Sequence, residues 1–388
     1  MVDIQFVKAS DYCESVVDGT HDSPKPCDEG FYLITSKHLS DYEIDFASAY
    51  KISEADYNLV IKRSSVEQWD ILFSMIGTVG RVYIERNSSS EYACKNVGIF
   101  KCGGDRQKAL WLYYVLKSPY SKQYIAKVLA GSTQSYISLG NLRAFPVPVI
   151  DDEKRNRIVE VLSTFDKRIE VNNKIIKNLE KQLDCLFDEK CTSKGQFSSS
   201  VLMSLSDIAT FTNGLAMKKF PPESEDQFLR VLKIKELRQG ALDESSDKCA
   251  ANIDEKFKVN DGDVIFSWSG SLMVDLWTGG VCGLNQHLFK VTSDLYPKWF
   301  VYMWVKHHVA DFAAIAAAKA TTMGHIKRGD LDKAKVVIPN DECMKELTKV
   351  FDPLLGLLIT MKMQNKKLSK LRDMLLPKLM SGELELKN

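Results

Sequence analysis

The sequence of 388 residues lacks the features that mark exported, membrane-spanning or disulfide-linked proteins. No uninterrupted run of about 18 apolar residues occurs, which argues against a membrane span. Residues 1–6 have neither the basic start nor the apolar stretch of a signal peptide. The nine cysteines include no C-x-x-C pair, so they predict reduced thiols in a cytoplasmic protein rather than a disulfide frame or a zinc site.

The sequence also lacks a strong net charge and recognisable catalytic motifs. The 52 basic and 51 acidic residues give a net charge of +1, which weakly disfavours nucleic-acid binding through bulk charge but does not exclude local basic patches. There is no phosphate-binding loop, no Asn-Pro-Pro or Asp-Pro-Pro motif of an amino-methyltransferase, and no H-E-x-x-H zinc motif. We therefore expect no catalytic residues, metal or cofactor on this chain.

The strongest positive signal is an internal repeat at a spacing of about half the chain. Residues 70–77 match residues 263–270, and each run reads Asp, three apolar β-formers, Ser and then Gly. Three further blocks match in the same order: 96–101 with 285–290, 111–116 with 299–304, and 133–142 with 322–331. Four ordered matches with offsets of 188 to 193 predict two similar α+β domains, residues 1–150 and 200–340.

The repeated blocks also predict local structure. Residues 70–77 and 263–270 are typical of a buried strand that leads into a turn, where glycine supplies a positive φ. The aromatic runs 111–116 and 299–304 are apolar on nearly all sides, so we expect buried helices. Proline-marked strands, 145–150 and 335–339, close each copy.

Each copy is followed by a long segment, 151–192 and 341–388, with apolar residues on a 3.5-residue period. This period predicts an antiparallel coiled coil that separates the two domains. Asn172 and Gln364 interrupt the two rows at matching places and are expected to meet near the middle. Asp352–Pro353 marks either the start of the second helix or a kink in it. The predicted seams are Ile158, Leu162, Phe165, Ile169, Asn172, Ile176, Leu179 and Leu183 in the first segment, and Val350, Leu354, Leu357, Met361, Gln364, Leu368, Leu371 and Leu375 in the second.

An alternative is that the two segments are amphipathic helices, each lying on the core of its own domain. Such helices usually carry a wider apolar stripe than a coiled-coil seam.

The remaining candidate sites are polar loops at equivalent places in the two copies. Hydroxyl, amide and cationic side chains can bind phosphates, and Gln or Arg can read base edges; the alternative is ordinary polar surface. The candidate DNA-binding residues are Arg81, Lys95, Ser132, Thr133, Gln134 and Tyr136 in the first copy, and Lys218, Lys219, Arg230, Lys319, Thr321, Thr322, His325, Lys327 and Arg328 in the second.

The whole pattern resembles the specificity subunits of type I restriction-modification enzymes. The resemblance is carried by residues 70–80, 131–142 and 165–173, and above all by residues 371–384, where Leu-Leu-Pro-Lys-Leu is closely followed by Ser-Gly. It implies two target recognition domains that each read one half of an asymmetric, bipartite site in double-stranded DNA. It also implies that the long helices set the gap and dock two methyltransferase subunits.

By the same resemblance, the methyltransferase subunits would bind S-adenosylmethionine and methylate adenine, and cleavage would require restriction subunits that use ATP and Mg²⁺. Two other function classes stay open on the residues alone. One is a two-domain protein–protein scaffold that does not bind DNA, which the near-neutral charge favours. The other is a self-contained nuclease, for which Asp151–Glu153 and Asp188–Glu189 are the acidic candidates, although such clusters at helix ends are usually caps.

Overall fold

The computed structural model describes residues 5–130, 135–192, 200–318, 324–384 and 386. The chain divides into two compact units. Unit 1 comprises Met1–Glu170 and Leu368–Asn388, and unit 2 comprises Val171–Lys367. Each unit therefore contains one copy of the repeat together with parts of both long helices.

The strands in the described part of unit 1 form three sheets. β2, β8, β5 and β6 form an antiparallel sheet in that order; β4, β3 and β7 form a second sheet with a parallel β3–β7 pair; and β1 pairs with β9. The strands are β1 (Gln5–Lys8), β2 (Ser15–Asp18), β3 (Phe31–Thr35), β4 (Lys51–Ile52), β5 (Ile71–Ser74), β6 (Val82–Ile84), β7 (Tyr92–Lys95), β8 (Val97–Lys101) and β9 (Pro146–Val149).

The helices of unit 1 pack on both larger sheets: Arg106–Lys117 lies against β6 of the antiparallel sheet, and Glu54–Ser64 lies against β7 of the second sheet. Asp105 caps the first turn of α3 by accepting from the backbone N–H groups of Gln107 and Lys108. Every residue of α3 from Ala109 to Leu116 is buried, which confirms the predicted buried helix. The helices are α1 (Ala9–Tyr12), α2 (Glu54–Ser64), α3 (Arg106–Lys117), α4 (Pro119–Val128), α5 (Leu139–Arg143) and α6 (Asp152–Phe187), of which α6 continues into unit 2 and is extended by a short π-helix, Asp188–Thr192.

Unit 2 repeats this arrangement. β11, β18, β15 and β16 form an antiparallel sheet; β13, β12, β17 and β14 form a second sheet with a parallel β12–β17 pair; and β10 pairs with β19. The strands are β10 (Ser200–Ser204), β11 (Thr210–Asn213), β12 (Phe228–Leu232), β13 (Lys248–Ala250), β14 (Lys258–Val259), β15 (Val264–Ser267), β16 (Met273–Leu276), β17 (Cys282–Leu284), β18 (Leu288–Thr292) and β19 (Lys335–Pro339).

The helices of unit 2 differ in part from those of unit 1: one helix, Lys298–Ala318, spans the positions of α3 and α4, and the 3-10 helix Glu255–Phe257 stands where unit 1 has α2. The predicted helix at 299–304 is confirmed, because all six of these residues are buried within α9. The helices are α7 (Leu205–Ile208), α8 (Ile234–Gln239), α9 (Lys298–Ala318), α10 (Arg328–Lys333) and α11 (Asp341–Ser381), of which the last returns to unit 1; short 3-10 helices occur at Ser36–His38, Met217–Lys219 and Glu255–Phe257.

The repeat seen in the sequence is present in the backbone. β5 and β15 are buried at every position and form the predicted strands. The glycines that follow them, Gly77 and Gly270, have φ values of 75° and 65°, as a turn with positive φ requires. The closing strands β9 and β19 also lie where the prolines indicated.

The long helices run antiparallel within each unit. In unit 1, Ile158 and Leu162 of α6 share a core with Leu376 and Leu379 of α11. In unit 2, Leu183 and Phe187 of α6 share a core with Phe351 and Leu355 of α11. Each pair also packs on the domain core of its unit. The coiled-coil contact and the packing of the helices on the domains, which the sequence offered as alternatives, are therefore both present.

The buried face of α6 includes the predicted seam positions Ile158, Leu162, Ile169, Asn172, Leu179 and Leu183, with Phe165 and Ile176 half-buried. For α11 the structure corrects the seam by one residue. Val350, Leu357 and Leu371 are 47%, 43% and 40% exposed, and Leu354, Met361, Gln364, Leu368 and Leu375 are half-buried. The buried positions of α11 are the next residues along: Phe351, Leu355, Leu358, Arg372, Leu376 and Leu379.

The physical reason is that the apolar stripe of α11 is two residues wide, because the helix faces both α6 and a domain core. The row that includes Val350 and Leu375 is apolar except for Gln364, whereas the next row, one residue later, contains the charged Arg372. The apolar pattern in the sequence therefore predicted the first row, although the second row is the more buried. With the corrected row, the equivalent of Asn172 in the second copy is Asn365. Asn172 donates to both Gln364 Oε1 and Asn365 Oδ1, at 2.9 Å each.

Pro353 neither begins nor ends the second helix. α11 begins at Asp341 and continues through both Pro353 and Pro377. In the described part of the chain, no helix combines the length and the apolar character that crossing a bilayer requires.

Candidate nucleic-acid interface

In unit 1, loops that follow the strands of the two larger sheets come together. The backbone of Ile76 bridges that of Tyr136, and it is flanked by bonds from Gly77 N–H to Ser135 O (3.0 Å) and from Ile137 N–H to Met75 O (3.0 Å). A second bridge joins Thr20 to Lys95. We call the described residues 19–23, 75–77, 95–96 and 135–137 loop cluster 1.

Unit 2 builds the same cluster from equivalent residues. Ser269 bridges His325, with bonds from Gly270 N–H to Gly324 O (2.9 Å) and from Ile326 N–H to Trp268 O (3.1 Å). Leu215 bridges Asn285. We call residues 213–216, 268–270, 285–287 and 324–328 loop cluster 2. The backbone pairings of the two clusters correspond one to one, and equivalent residues are 189 to 195 positions apart.

A pair of glycines allows the loops to approach closely in both clusters. A Cβ at Gly19 would lie 2.2 Å from Cys94 O, and a Cβ at Gly214 would lie 2.3 Å from Asn285 O. Because no side chain fits at such distances, glycine is required at both places.

The side chains of cluster 1 form a small polar network. His21 Nδ1 lies 2.7 Å from Asn96 Oδ1, and its Nε2 lies 2.9 Å from Asp18 Oδ2. Lys95 Nζ donates to Ser23 Oγ. Tyr136 is 46% exposed, so its ring is available at the surface.

The side chains of cluster 2 are different. Trp268 Nε1 donates to Asn213 Oδ1 at 3.2 Å, and the Trp268 ring lies 5.9 Å from that of His287 and 6.4 Å from that of His325. Ser269 Oγ lies 3.1 Å from His287 Nδ1. The two clusters therefore present different hydrogen-bonding groups on the same backbone frame.

The predicted cations divide into two groups. Lys218, Lys219, Lys327 and Arg328 are exposed, the first two on a 3-10 helix and the last two at the start of α10. In contrast, Arg81 Nη1 donates to Leu39 O at 3.1 Å, and Arg230 Nη1 donates to Glu244 O and Ser246 O at 3.2 and 3.3 Å. Arg328 combines both properties, because it is exposed and its Nη2 also donates to Phe211 O at 3.4 Å. All three arginines therefore donate hydrogen bonds to carbonyl oxygens of their own unit.

Six predicted residues lie outside the described residues: Ser132, Thr133, Gln134, Lys319, Thr321 and Thr322. Other residues of the clusters were not predicted from the sequence, because the candidates were taken from the polar loops at 131–136 and 319–328 and from individual cations. The residues missed are His21, Ser23 and Asn96 in cluster 1 and Asn213, Trp268, Gln286 and His287 in cluster 2.

The described residues do not assemble a catalytic or metal-binding group. No set of three His, Cys, Asp or Glu side chains within them could hold a metal ion. The acidic run at Asp151 caps α6, since Asp151 Oδ1 accepts from Lys154 N–H at 3.0 Å. Burial raises the pKa of Cys249 to about 11 and that of Cys191 to about 12, so these thiols stay protonated and unreactive near neutral pH.

Comparison with known proteins gives two matches to one family model, described as the type I restriction modification DNA specificity domain, over residues 1–181 and 199–370. The MjaIX specificity subunit of a type I restriction enzyme from Methanocaldococcus jannaschii is 25% identical over 383 residues, covering 90% of this chain and 86% of the relative. The EcoBI specificity subunit from Escherichia coli is 26% identical over 162 residues, covering 40% of this chain and 34% of the relative.

Among solved structures, the S subunit of a type I restriction-modification system from M. genitalium has the same fold, with a TM-score of 0.55 and 14% identity. The match covers 100% of this chain and 98% of that chain. The tandem family matches account for both copies of the repeat and for most of both long helices. The chain belongs to the family of type I restriction-modification DNA specificity subunits, which are non-catalytic.

Proposed function

We propose that this chain reads an asymmetric, bipartite DNA site, one half with each recognition domain, and directs two adenine methyltransferase subunits to it. In this proposal residues 1–150 and 200–340 are the two recognition domains, and the helices of 151–192 and 341–388 set the gap between the half-sites. S-adenosylmethionine binds to the methyltransferase subunits. ATP and Mg²⁺ act on restriction subunits where these join the complex.

The observation that carries the proposal is the equivalence of the two loop clusters. Their backbone pairings match one to one, yet Tyr136 beside Ile76 in cluster 1 is replaced by His325 beside Ser269 in cluster 2. A shared frame with different side chains suits two readers of different base sequences, because base edges are distinguished by the pattern of donors and acceptors.

The long helices supply a surface for protein partners. In unit 1, a groove lined by Val161, Phe165 and Leu368 runs between α6 and α11. Leu371 and Met374 of α11 are 40% and 53% exposed in the same unit. Exposed apolar side chains on paired helices suit a helical partner surface, and we assign this surface to a methyltransferase subunit.

Co-expression with its partner tests the reading function. The chain and a type I methyltransferase subunit are expressed separately and together, and adenine methylation is mapped across the host genome. We expect methylation at one bipartite site only when both are present. Site-specific methylation by either protein alone would contradict the proposal.

Two outward substitutions test the docking surface. Leu371→Glu with Met374→Glu is expected to abolish co-purification of the methyltransferase subunit, because it places two charges in an apolar contact. Lys370→Glu, at an exposed neighbouring position, is the matched control and should retain the partner. Circular dichroism checks that both variants fold, and retention of the partner by the double variant would place docking elsewhere.

Lengthening both helices tests the spacer. Seven residues inserted after Glu170 and after Lys367 add about 10 Å, at ~1.5 Å per residue. We expect a gap longer by about three base pairs, at ~3.4 Å per pair, with both half-sites unchanged. If the gap stays the same while the complex remains active, the helices do not set it.

A further inference from the structure

We infer that two amide side chains of loop cluster 2, Asn213 and Gln286, read bases in the half-site bound by unit 2, and that Gln286 reads an adenine. The inference rests on the proposed function and adds residues that specify it. Both amides are exposed, and neither belongs to a charged pair.

Trp268 fixes the orientation of Asn213. The indole N–H donates to Asn213 Oδ1 at 3.2 Å, which turns the amide nitrogen away from the ring. The half-buried indole is held in turn by the rings of Phe289 (5.8 Å) and His287 (5.9 Å). Asn213 keeps two N–H donors and one lone pair on its oxygen for a ligand.

His287 fixes Gln286 in the same way. Gln286 Nε2 lies 3.3 Å from His287 Nε2, and because an amide nitrogen only donates, the imidazole Nε2 accepts. The imidazole proton is therefore on Nδ1 and is donated to Ser269 Oγ, 3.1 Å away. Gln286 retains one N–H donor and a carbonyl acceptor, the pair that matches N7 and N6 of adenine.

Exposed cations flank the two amides along the chain. Lys218 and Lys219 follow the loop that contains Asn213, and Lys327 and Arg328 follow His325. Phosphate contacts from such cations position a reader, whereas amides on base edges carry the sequence information.

In cluster 1 the position equivalent to Gln286 is Asn96, because Asn96 N–H donates to Thr20 O at 3.1 Å as Gln286 N–H donates to Leu215 O at 2.9 Å. The Asn96 amide oxygen lies 2.7 Å from His21 Nδ1, so the two units hold different amides with different neighbours at this place.

The test compares Gln286→Ala with the wild type in complex with the methyltransferase subunit. Methylation rates are measured on duplexes that carry the mapped site or one substitution at each position in turn. We expect discrimination at one adenine of the second half-site to fall by roughly 5- to 150-fold, as for the loss of one bidentate contact. The first half-site should be read as before. Gln239→Ala, an exposed glutamine at the end of α8, is the matched control.

Gln286→Glu keeps the test decisive if the alanine variant is inactive. A carboxylate accepts from cytosine N4 and cannot donate to adenine N7, so the preference should move from adenine to cytosine at that position. A variant that fails to fold cannot gain a preference. If the wild type reads a bipartite site and Gln286→Ala discriminates as well as wild type at every position, the inference is overturned while the proposed function stands. If the wild-type complex methylates no defined site, both are overturned.

Discussion

Unit 1 and unit 2 attach their domains to the long helices with charges held at different depths. In unit 1, Arg372 of α11 pairs with Asp166 of α6, and their side chains are only 5% and 3% exposed. In unit 2, Lys362 of α11 pairs with Glu180 of α6 and Asp275 of β16, at 3.0 Å each, with exposures of 18%, 37% and 27%. The two copies thus hold their long helices with different ion pairs. We call Arg372 with Asp166 the buried lock of unit 1, and Lys362 with Glu180 and Asp275 the half-exposed lock of unit 2.

Depth decides what each lock costs to open. Tyr42 completes the buried lock by donating to Asp166 Oδ1 at 2.9 Å, and burial raises the pKa of Tyr42 so that its proton remains in place. For Lys362, burial lowers the pKa, but attraction from Asp275 and then Glu180 outweighs it and the net pKa is raised. If one partner is removed, the charge that remains in the buried site of unit 1 cannot be hydrated, whereas a charge that remains in the half-exposed site of unit 2 can be.

Removing the arginine of the buried ion pair is expected to have the largest effect on stability. Arg372→Met is expected to lower the free energy of unfolding of unit 1 by about 3–5 kcal/mol, because Asp166 stays buried without its partner. Urea denaturation, with hydrogen exchange of unit 1 peptides as the local readout, measures the loss. Asp166→Leu combined with Arg372→Met removes both charges and should recover most of the stability. A double variant as unstable as the single one would mean that packing, not charge, makes the lock.

Substitution of the paired glycines is expected to destabilise the two units equally. Gly19→Ala and Gly214→Ala each place a Cβ within 2.3 Å of a carbonyl oxygen, so each should cost about 2–3 kcal/mol in its own unit. Hydrogen exchange resolved by unit gives the measurement. Gly329→Ala, where a Cβ would meet no atom within 4 Å, is the control. A large effect in one unit alone would show that the clusters are not equivalent.

The half-exposed lock of unit 2 should open cheaply. Lys362→Met is expected to cost at most about 1 kcal/mol, since Glu180 and Asp275 can be rehydrated. The same denaturation experiment measures it against Arg372→Met. A loss as large as that of the arginine variant would remove depth as the explanation.

The smallest effect concerns pH. In the turn after β3, His38 Nδ1 accepts a hydrogen bond from the Thr35 N–H at 3.0 Å. In the matching turn of unit 2, the Glu236 carboxylate accepts from the Lys233 N–H at 3.2 Å. Burial, and then the charge of Lys37, lower the pKa of His38. A lowered folded-state pKa means that this contribution is present above about pH 6.5 and is lost as the pH falls.

Between pH 7 and pH 5 the turn of unit 1 should therefore lose at most about 1 kcal/mol, the worth of one hydrogen bond. His38→Gln keeps an uncharged acceptor at the same place and should remove the pH dependence. Amide exchange of residues 35–39, corrected for the intrinsic effect of pH, measures it. An unchanged pH dependence in the glutamine variant would assign it to another group.

The sequence predicted the repeat and its elements well, because buried strands and helices leave local patterns. The runs before Gly77 and Gly270 and the aromatic helix at Trp111 were recognisable from a few residues each. The seam of α11 was not, since a stripe two residues wide allows two rows and only the tertiary contact with Asp166 explains why the row with Arg372 is buried.

The candidate site was predicted less completely for a similar reason. Loops at 131–136 and 319–328 stood out by composition, but Asn213 becomes a neighbour of Trp268 only through pairing of distant strands. No local pattern records such a contact. Cations such as Arg230 show the converse, because an exposed-looking arginine in the sequence is partly committed to carbonyl oxygens of its own unit.

The contact between Asn172 and Asn365 bears on how the chain arose. With the corrected row of α11 these two residues are equivalents in the repeat, and the first donates to the second at 2.9 Å. In a two-fold symmetric dimer, the residue at the axis touches its own copy. If a gene for such a dimer were duplicated and fused end to end, the single chain would keep this contact. Two asparagines of common ancestry would then still be hydrogen-bonded to each other at the place where two subunits once met.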